Sequence, residues 1–241
     1  MRLNKYLSSV GFCSRRQADK LIQENRVSVN GAAVELGYRY QDGDLIRVDD
    51  KLVENQKQKE TWVAYHKKVG IESTFYSQHN SRTLAFLEEE LDLKLIYLGR
   101  LDKESQGLML FTTEGDWVNP IMKSQNNHEK EYIVETANHI SDEELLTLEK
   151  GIDIGDEFPT KKARTERKSQ RIFHMTITEG RKRQIRRMLE AIEHKVVSLE
   201  RIRIVCVELG ELAYGEWRYL EENEILALKE ECAPQEKEEA K

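Results

Sequence analysis

The chain has few of the residues that staple or stiffen small proteins. Its three cysteines, Cys13, Cys206 and Cys232, are far apart and form no CxxC pair. That spacing argues against a zinc site or a disulfide framework and fits a reducing cytoplasm. Three prolines in 241 residues exclude a long Pro-rich linker. No run of about 18 apolar residues occurs, so no membrane-crossing helix is predicted. The opening MRLNKYLSS has no apolar segment with a cleavage site, so no secretory leader is expected. No GxGxxG or GxxxxGK[ST] pattern is present, which removes support for nucleotide-cofactor and ATP-binding readings. The six histidines lack metal-ligand spacing; His128 and Glu129 are not part of an HExxH helix, because position 132 is Tyr.

Charge is abundant, at 34% of residues, with a net value of -6. Taken alone, that sum argues against a nucleic-acid partner, but the charge is segregated. Residues 1–31 carry net +4, residues 161–187 net +9 and residues 221–241 net -5. Phosphate binding follows local fields rather than the whole-molecule sum. Blocks of one sign mark interaction surfaces or tails, the plain alternative being a solvated face.

Leu3, Tyr6, Leu7 and Val10 recur at helical spacing, and Gly11 ends that helix. A second helix starts at the N-cap Ser14, with Ala18, Leu21 and Ile22 on one face and Arg15, Arg16 and Lys20 mostly off it. Val27–Val29 then runs into Asn30-Gly31, a tight-turn signal, and Leu45–Val48 closes a module of about 50 residues. Residues 54–60 are polar and aperiodic and read as a linker. Beyond them, strands are predicted over 62–66, 108–112, 130–136, 172–177, 195–209 and 216–219. Helices are predicted over 83–95, 117–123, 141–151 and 183–193. This irregular interleaving predicts an α+β domain on a mostly antiparallel sheet rather than a doubly wound one. An acidic, disordered tail is expected over 232–241.

Three segments concentrate chemistry. Gly99–Leu108 (GRLDKESQGL) packs carboxylates, bases, a Ser and a Gln into one loop; the plain reading is an exposed turn whose charges pair. Asn127–Tyr132 leads a charged run into a strand through Tyr132, which alone reads as a half-buried strand aromatic. Glu179–Met188 starts a helix in bases, against the macrodipole. Stability gives no reason for so many arginines there, whereas a phosphate or carboxylate partner would.

Together, GRLDKESQGL, HEKEY, GRKRQIRRM and LGELAYGEWRYL resemble the pseudouridine synthases of the RsuA/RluB/RluE/RluF family, from Arg2 to about Leu228. KEY after HE, RQIRRM and LERIRI lie nearest the subgroup that acts on a stem-loop of large-subunit ribosomal RNA. The resemblance implies an alpha-L RNA-binding domain over 1–53 and a pseudouridine synthase catalytic domain over 61–231, with a mostly antiparallel mixed sheet. It implies that Asp102 is the catalytic aspartate, that Tyr132 lies against the uracil and that Arg186 pairs with the aspartate. It also implies that Arg100 helps hold the displaced nucleotide. RNA contacts are expected from Arg15, Arg16, Lys20, Lys130, Arg181, Lys182, Arg183 and Arg187. One departure is visible: Lys67-Lys68-Val69-Gly70 stands where the family usually has Lys-Pro-x-Gly.

The implied chemistry breaks the bond from ribose C1′ to N1 of uracil, turns the base and rejoins it through C5. A carboxylate suits this by attacking C1′, by acting at C2′ or by stabilising a cation-like ribose. No redox change or hydrolysis occurs, so neither cofactor nor metal is expected. The expected partner is large-subunit ribosomal RNA, met by a cytoplasmic monomer that needs no protein partner. The rival readings are a non-catalytic RNA-binding ribosome-assembly factor and a methyltransferase with the same N-terminal module; the second would need a glycine-rich cofactor loop.

Overall fold

The computed structural model describes residues 1–54, 59–76 and 81–233. The chain divides into two compact units, Met1–Thr61 with Thr113–Gly115, and Trp62–Thr112 with Asp116–Lys241. The central part of the linker expected over 54–60 falls on residues 55–58, outside the described residues, as do residues 234–241 of the expected tail.

The small unit holds helices α1 (Leu3–Ser9) and α2 (Arg15–Gln23) and strands β1 (Val27–Val29), β2 (Ala32–Ala33), β3 (Ile46–Val48) and β4 (Lys51–Leu52). Ser14 caps α2 in a reciprocal box with Gln17, which satisfies two backbone donors that the helix start would otherwise leave open. Asn30 and Gly31 both adopt positive φ, 53° and 84°, the geometry a two-residue hairpin demands. Leu3, Leu7, Ala18, Ile22, Val27, Val29, Ile46 and Val48 form its core. Arg15, Arg16 and Lys20 stay exposed, and Lys20 lies 3.7 Å from Glu24 one turn away.

The large unit is built on a nine-stranded sheet. Its strands are β5 (Trp62–Lys67), β6 (Ile96–Leu98), β7 (Gln106–Thr112), β8 (Lys130–Thr136), β9 (Arg164–Arg167), β10 (Ile172–Ile177), β11 (Val196–Ile204), β12 (Val207–Glu208) and β13 (Trp217–Tyr219). The order is β13-β5-β7-β11-β8-β10-β9, with β6 beside β7 and β12 beside β11. Every pairing is antiparallel except β11 with β7, which touch at Glu200/Gln106 and Arg201/Gly107. The mostly antiparallel sheet expected from the irregular order of elements is therefore present.

Period-two alternation divides the apolar side chains between two faces. Val63, Tyr65, Met109, Phe111, Val134, Phe173 and Met175 point to one core, against α3 (Ala85–Leu91), α5 (Asp142–Lys150) and α6 (Gln184–Glu190). Trp62, Ala64, Leu108, Leu110, Ile204 and Val207 point to the other, against α4 (Val118–Met122) and α7 (Glu222–Cys232). With both faces covered, β5 is buried at all six positions.

Several elements differ from the sequence reading. The helix expected over 83–95 stops at Leu91, because Asp92 turns left-handed (φ 51°) and frees Leu93–Leu95 to lead into β6. The helix expected over 183–193 is confined to Gln184–Glu190, with Arg183 left-handed at its start (φ 53°). Helix α7 was not anticipated. Within its acidic sequence, Ile225, Leu228 and Cys232 form an apolar seam that packs on the second core, and Arg218 holds Glu224 through two bonds of 2.6 and 2.7 Å. Cys232, expected to begin a disordered tail, is the last helical residue and is 2% exposed.

Candidate active site

The loop 99–105 leaves β6 and enters β7 in the middle of the sheet, and it is held from three directions. From β5, the fully buried Lys67 donates through Nζ to the carbonyls of Lys68 (3.0 Å), Asp102 (3.2 Å) and Ser105 (2.8 Å). From the 70–73 segment, Gly70 N donates to Lys103 O at 2.7 Å. Ser73 Oγ donates to Leu101 O (2.6 Å) and accepts from Leu101 N (3.1 Å). From α6, Arg186 Nη2 donates to Glu104 O (3.1 Å) and Ser105 Oγ (3.2 Å). Buried carbonyls need donors, and three charged side chains or hydroxyls supply them here.

This scaffold presents Asp102 to a cavity of about 690 Å³, whose wall also includes Tyr97, Arg100, Tyr132, Lys182 and Arg201. That is a volume ordinary for a ligand site. Tyr132 comes from β8, where the pattern KEYIVET buries alternate positions, and it faces Arg201 of β11 across the ladder. Tyr132 is 7% exposed, so the ring lies in the wall rather than on the surface.

The expected pairing of Arg186 with Asp102 differs from what is observed. Among the described residues no ion pair within 4 Å joins them; the guanidinium grips the Asp102 loop further on, at the backbone carbonyl of Glu104 and the side-chain hydroxyl of Ser105. Burial lowers the pKa of Arg186, with Arg183 adding to that, while Glu104 and Asp102 oppose it. The charge of Arg186 is felt by the aspartate through space, and its bonds fix the loop. Glu104 is held ionised, below its ordinary value, chiefly by its own backbone N–H and then by Arg183 and Arg186.

The basic cluster also divides on inspection. Arg181 is 3.2 Å from Glu179 and donates to the carbonyls of Phe158 (2.5 Å) and Pro159 (2.7 Å). Arg187 pairs with Asp156 at 2.6 Å and also bonds Ile154 O. These two arginines tie the 152–160 segment to the start of α6, so stability does give a reason for them and they are engaged with the protein. Arg183 meets Glu104 at 3.0 Å. Arg100 and Lys182 are exposed on the cavity wall. Lys130 is buried, 5% exposed, which places it inside the cavity wall rather than on an outer RNA-binding surface. The Lys67–Gly70 segment, noted for its missing Pro, keeps its glycine turn, with Gly70 at φ 87°.

Sequence reading overlooked Lys67, Ser73 and Arg201. Lys67 resembles a solvated charge at a strand end. Arg201 lies in the LERIRI segment, and the signal for its burial is that it shares the alternating register of Leu199, a buried position. Among the described residues no group of three His, Cys, Asp or Glu is placed to hold a metal, and no helix is long and apolar enough to cross a membrane.

A family model described as RNA pseudouridylate synthase matches residues 61–191, and one described as the S4 domain matches residues 1–46. The chain is 38% identical over 229 residues to a dual-specificity RNA pseudouridine synthase RluF of Shigella flexneri, covering 95% of this chain and 78% of that protein. It is 32% identical over 234 residues to the ribosomal large subunit pseudouridine synthase B of Bacillus subtilis (strain 168), covering 95% of each. A crystal structure of a pseudouridylate synthase superposes with a TM-score of 0.70 at 33% identity, over 95% of this chain and 99% of that one. With Asp102 and Tyr132 facing one cavity, the chain belongs to the RNA pseudouridylate synthase family, in its RsuA branch, and is an RNA-modifying isomerase that carries an S4 RNA-binding domain.

Proposed function

We propose that this enzyme isomerises a uridine in a stem-loop of 23S ribosomal RNA, by cleaving the C1′–N1 bond, rotating the base and joining C5 to C1′. The observation that carries the reading is the Asp102 carboxylate, set at the wall of a nucleotide-sized cavity beside the Tyr132 ring. Asp102 supplies a carboxyl oxygen to the sugar as the bond breaks, and Tyr132 stacks on the uracil. Arg186 and Lys67 position the loop that carries Asp102. Relatives named for the large ribosomal subunit and for RluF support the choice of RNA.

A base inside a helix is out of reach until it is extruded, at a cost of a few kcal/mol. Arg100 is exposed at the cavity wall and has no ion pair among the described residues; in this reading it occupies the space the base leaves or holds a flanking phosphate. Arg15, Arg16 and Lys20 on α2 contribute phosphate contacts, so binding weakens steeply with salt. The enzyme acts as a cytoplasmic monomer, without cofactor. The test is release of tritium from RNA labelled at uridine C5, using purified protein and ribosomal RNA. Stoichiometric release supports the reading; binding without release identifies an RNA-binding factor instead.

A further inference from the structure

The cavity contains two buried cations that the reading above leaves unused. Arg201 is 2% exposed and Lys130 is 5% exposed, and both line the cavity. Among the described residues neither has a carboxylate within 4 Å. Arg201 donates through Nε to Leu108 O at 2.8 Å, and its buried Nη2 has no partner. A Cβ built on Gly99 would lie 3.8 Å from Arg201 Nη1, so the guanidinium sits against the first residue of the Asp102 loop. Among the described residues the Lys130 ammonium donates one hydrogen bond, to His128 O at 3.1 Å. Burial, and then the neighbouring Arg201 charge, push the Lys130 ammonium down to about 8. Two like charges withdrawn from water and left without a counter-charge are costly. Such an arrangement is sensible where an anion forms during the work of the site.

Resting on the proposed activity, we propose that Arg201 and Lys130 are substrate-contacting residues that donate hydrogen bonds to the carbonyl oxygens of the detached uracil and stabilise it as an anion. When the C1′–N1 bond breaks, its electron pair leaves with N1. The uracil then carries one negative charge, spread over N1, O2 and O4, while the sugar carbon is left electron-poor for the Asp102 carboxylate. The pair returns when C5 bonds to C1′ and the carboxylate is released; the C5 proton then leaves and N1 takes up a proton, so atoms and charges balance at the end. The location favours the base over a phosphate. Both cations are on strands of the sheet, and Arg201 is the cross-strand partner of Tyr132, whereas a phosphodiester must continue into solvent on both sides and suits the exposed Arg100 and Lys182.

The test compares single-turnover C–N cleavage in ribosomal RNA containing uridine with that in RNA containing 5-fluorouridine, followed as loss of the N-linked nucleoside after nuclease digestion. Fluorine at C5 withdraws electrons and stabilises the same anion, so it substitutes in part for the cations. Arg201→Met is expected to slow uridine cleavage by about 100-fold, the scale of losing one donor to a developing oxyanion, and to slow 5-fluorouridine cleavage by no more than about 10-fold, with RNA affinity unchanged. Lys130→Gln should show the same substrate-dependent loss, and it carries the test by itself if Arg201→Met does not fold. Equal losses on both RNAs, or a loss confined to RNA affinity as a phosphate ligand would give, overturn the proposal. Wild-type protein that cleaves neither RNA overturns the activity reading and this inference with it.

Discussion

Replacing Lys67 by Met separates the stability of the fold from the placement of its reacting group. Lys67 is fully buried, and burial moves its pKa from 10.5 to about 8, a penalty on the charged form of about 3 kcal/mol. Met fills a similar volume and removes that penalty. It also takes the charged donor from the carbonyls of Lys68 and Ser105, and a bond from that of Asp102, which keeps the Ser105 N–H at 3.0 Å. Two buried carbonyls losing their donor cost about 2–6 kcal/mol together, so the net loss is about 3 kcal/mol at most, or a Tm lower by roughly 12 °C or less. The Asp102 loop, by contrast, loses one of its three holds, and a misplacement of about 1 Å costs on the order of 100-fold in rate. Circular-dichroism melting and single-turnover tritium release measure the two effects. The folded pKa lies below the unfolded one, so wild-type protein gains stability as pH rises from about 8 toward 10.5. Lys130, also lowered to about 8, contributes over the same window, and the variant should lack the Lys67 share. A folded Lys67→Met enzyme with wild-type turnover would refute the claim that this lysine positions the loop.

Gly107 pairs with Arg201 at φ 106°, and a Cβ there would lie 2.3 Å from Arg201 O, a backbone atom that cannot swing away. Gly107→Ala should therefore cost about 3 kcal/mol or more and lower Tm by roughly 6–12 °C; an unchanged melt contradicts this close approach of β7 and β11. Glu144 is depressed to about 2, first by the Ser141 N–H and then by His194. Its stabilisation is complete above the unfolded value near 4.5 and is lost as pH falls through about 2. Glu144→Gln should flatten acid unfolding across that window, and an unaltered acid profile counts against the assignment. The Tyr132 hydroxyl has no bond to another described residue, so Tyr132→Phe should retain more activity than Tyr132→Ala; equal losses in steady-state assays would assign the work to the hydroxyl.

Much of this was legible because periodicity is local. KEYIVET alternates and forms a strand with the expected bounds, and Ser141 with Glu144 marks the start of α5 by the capping box it forms. Asp102 and Tyr132 were legible as motif residues, and the fold brings them to one cavity. What was not legible depends on partners distant in sequence. Asp156, 31 residues from Arg187, gives that guanidinium a structural partner that the local sequence does not disclose. Arg186 looked like the partner of a carboxylate, and only the path of the loop shows that it grips Glu104 and Ser105. Helix α7 was hidden by its charge, because an acidic average conceals a seam made by Ile225, Leu228 and Cys232. Lys67 and Arg201 were missed for the same reason: a base in a strand discloses its burial only when the neighbouring strands are in place.

The central claim is that the carboxylate at position 102 performs the isomerisation. Asp102→Asn keeps the side-chain shape and removes the charge, and the bonds that hold its loop are all to backbone atoms or to neighbouring residues. This variant is expected to bind ribosomal RNA as tightly as wild type and to release no tritium from uridine labelled at C5. Tritium release at the wild-type rate would contradict the claim.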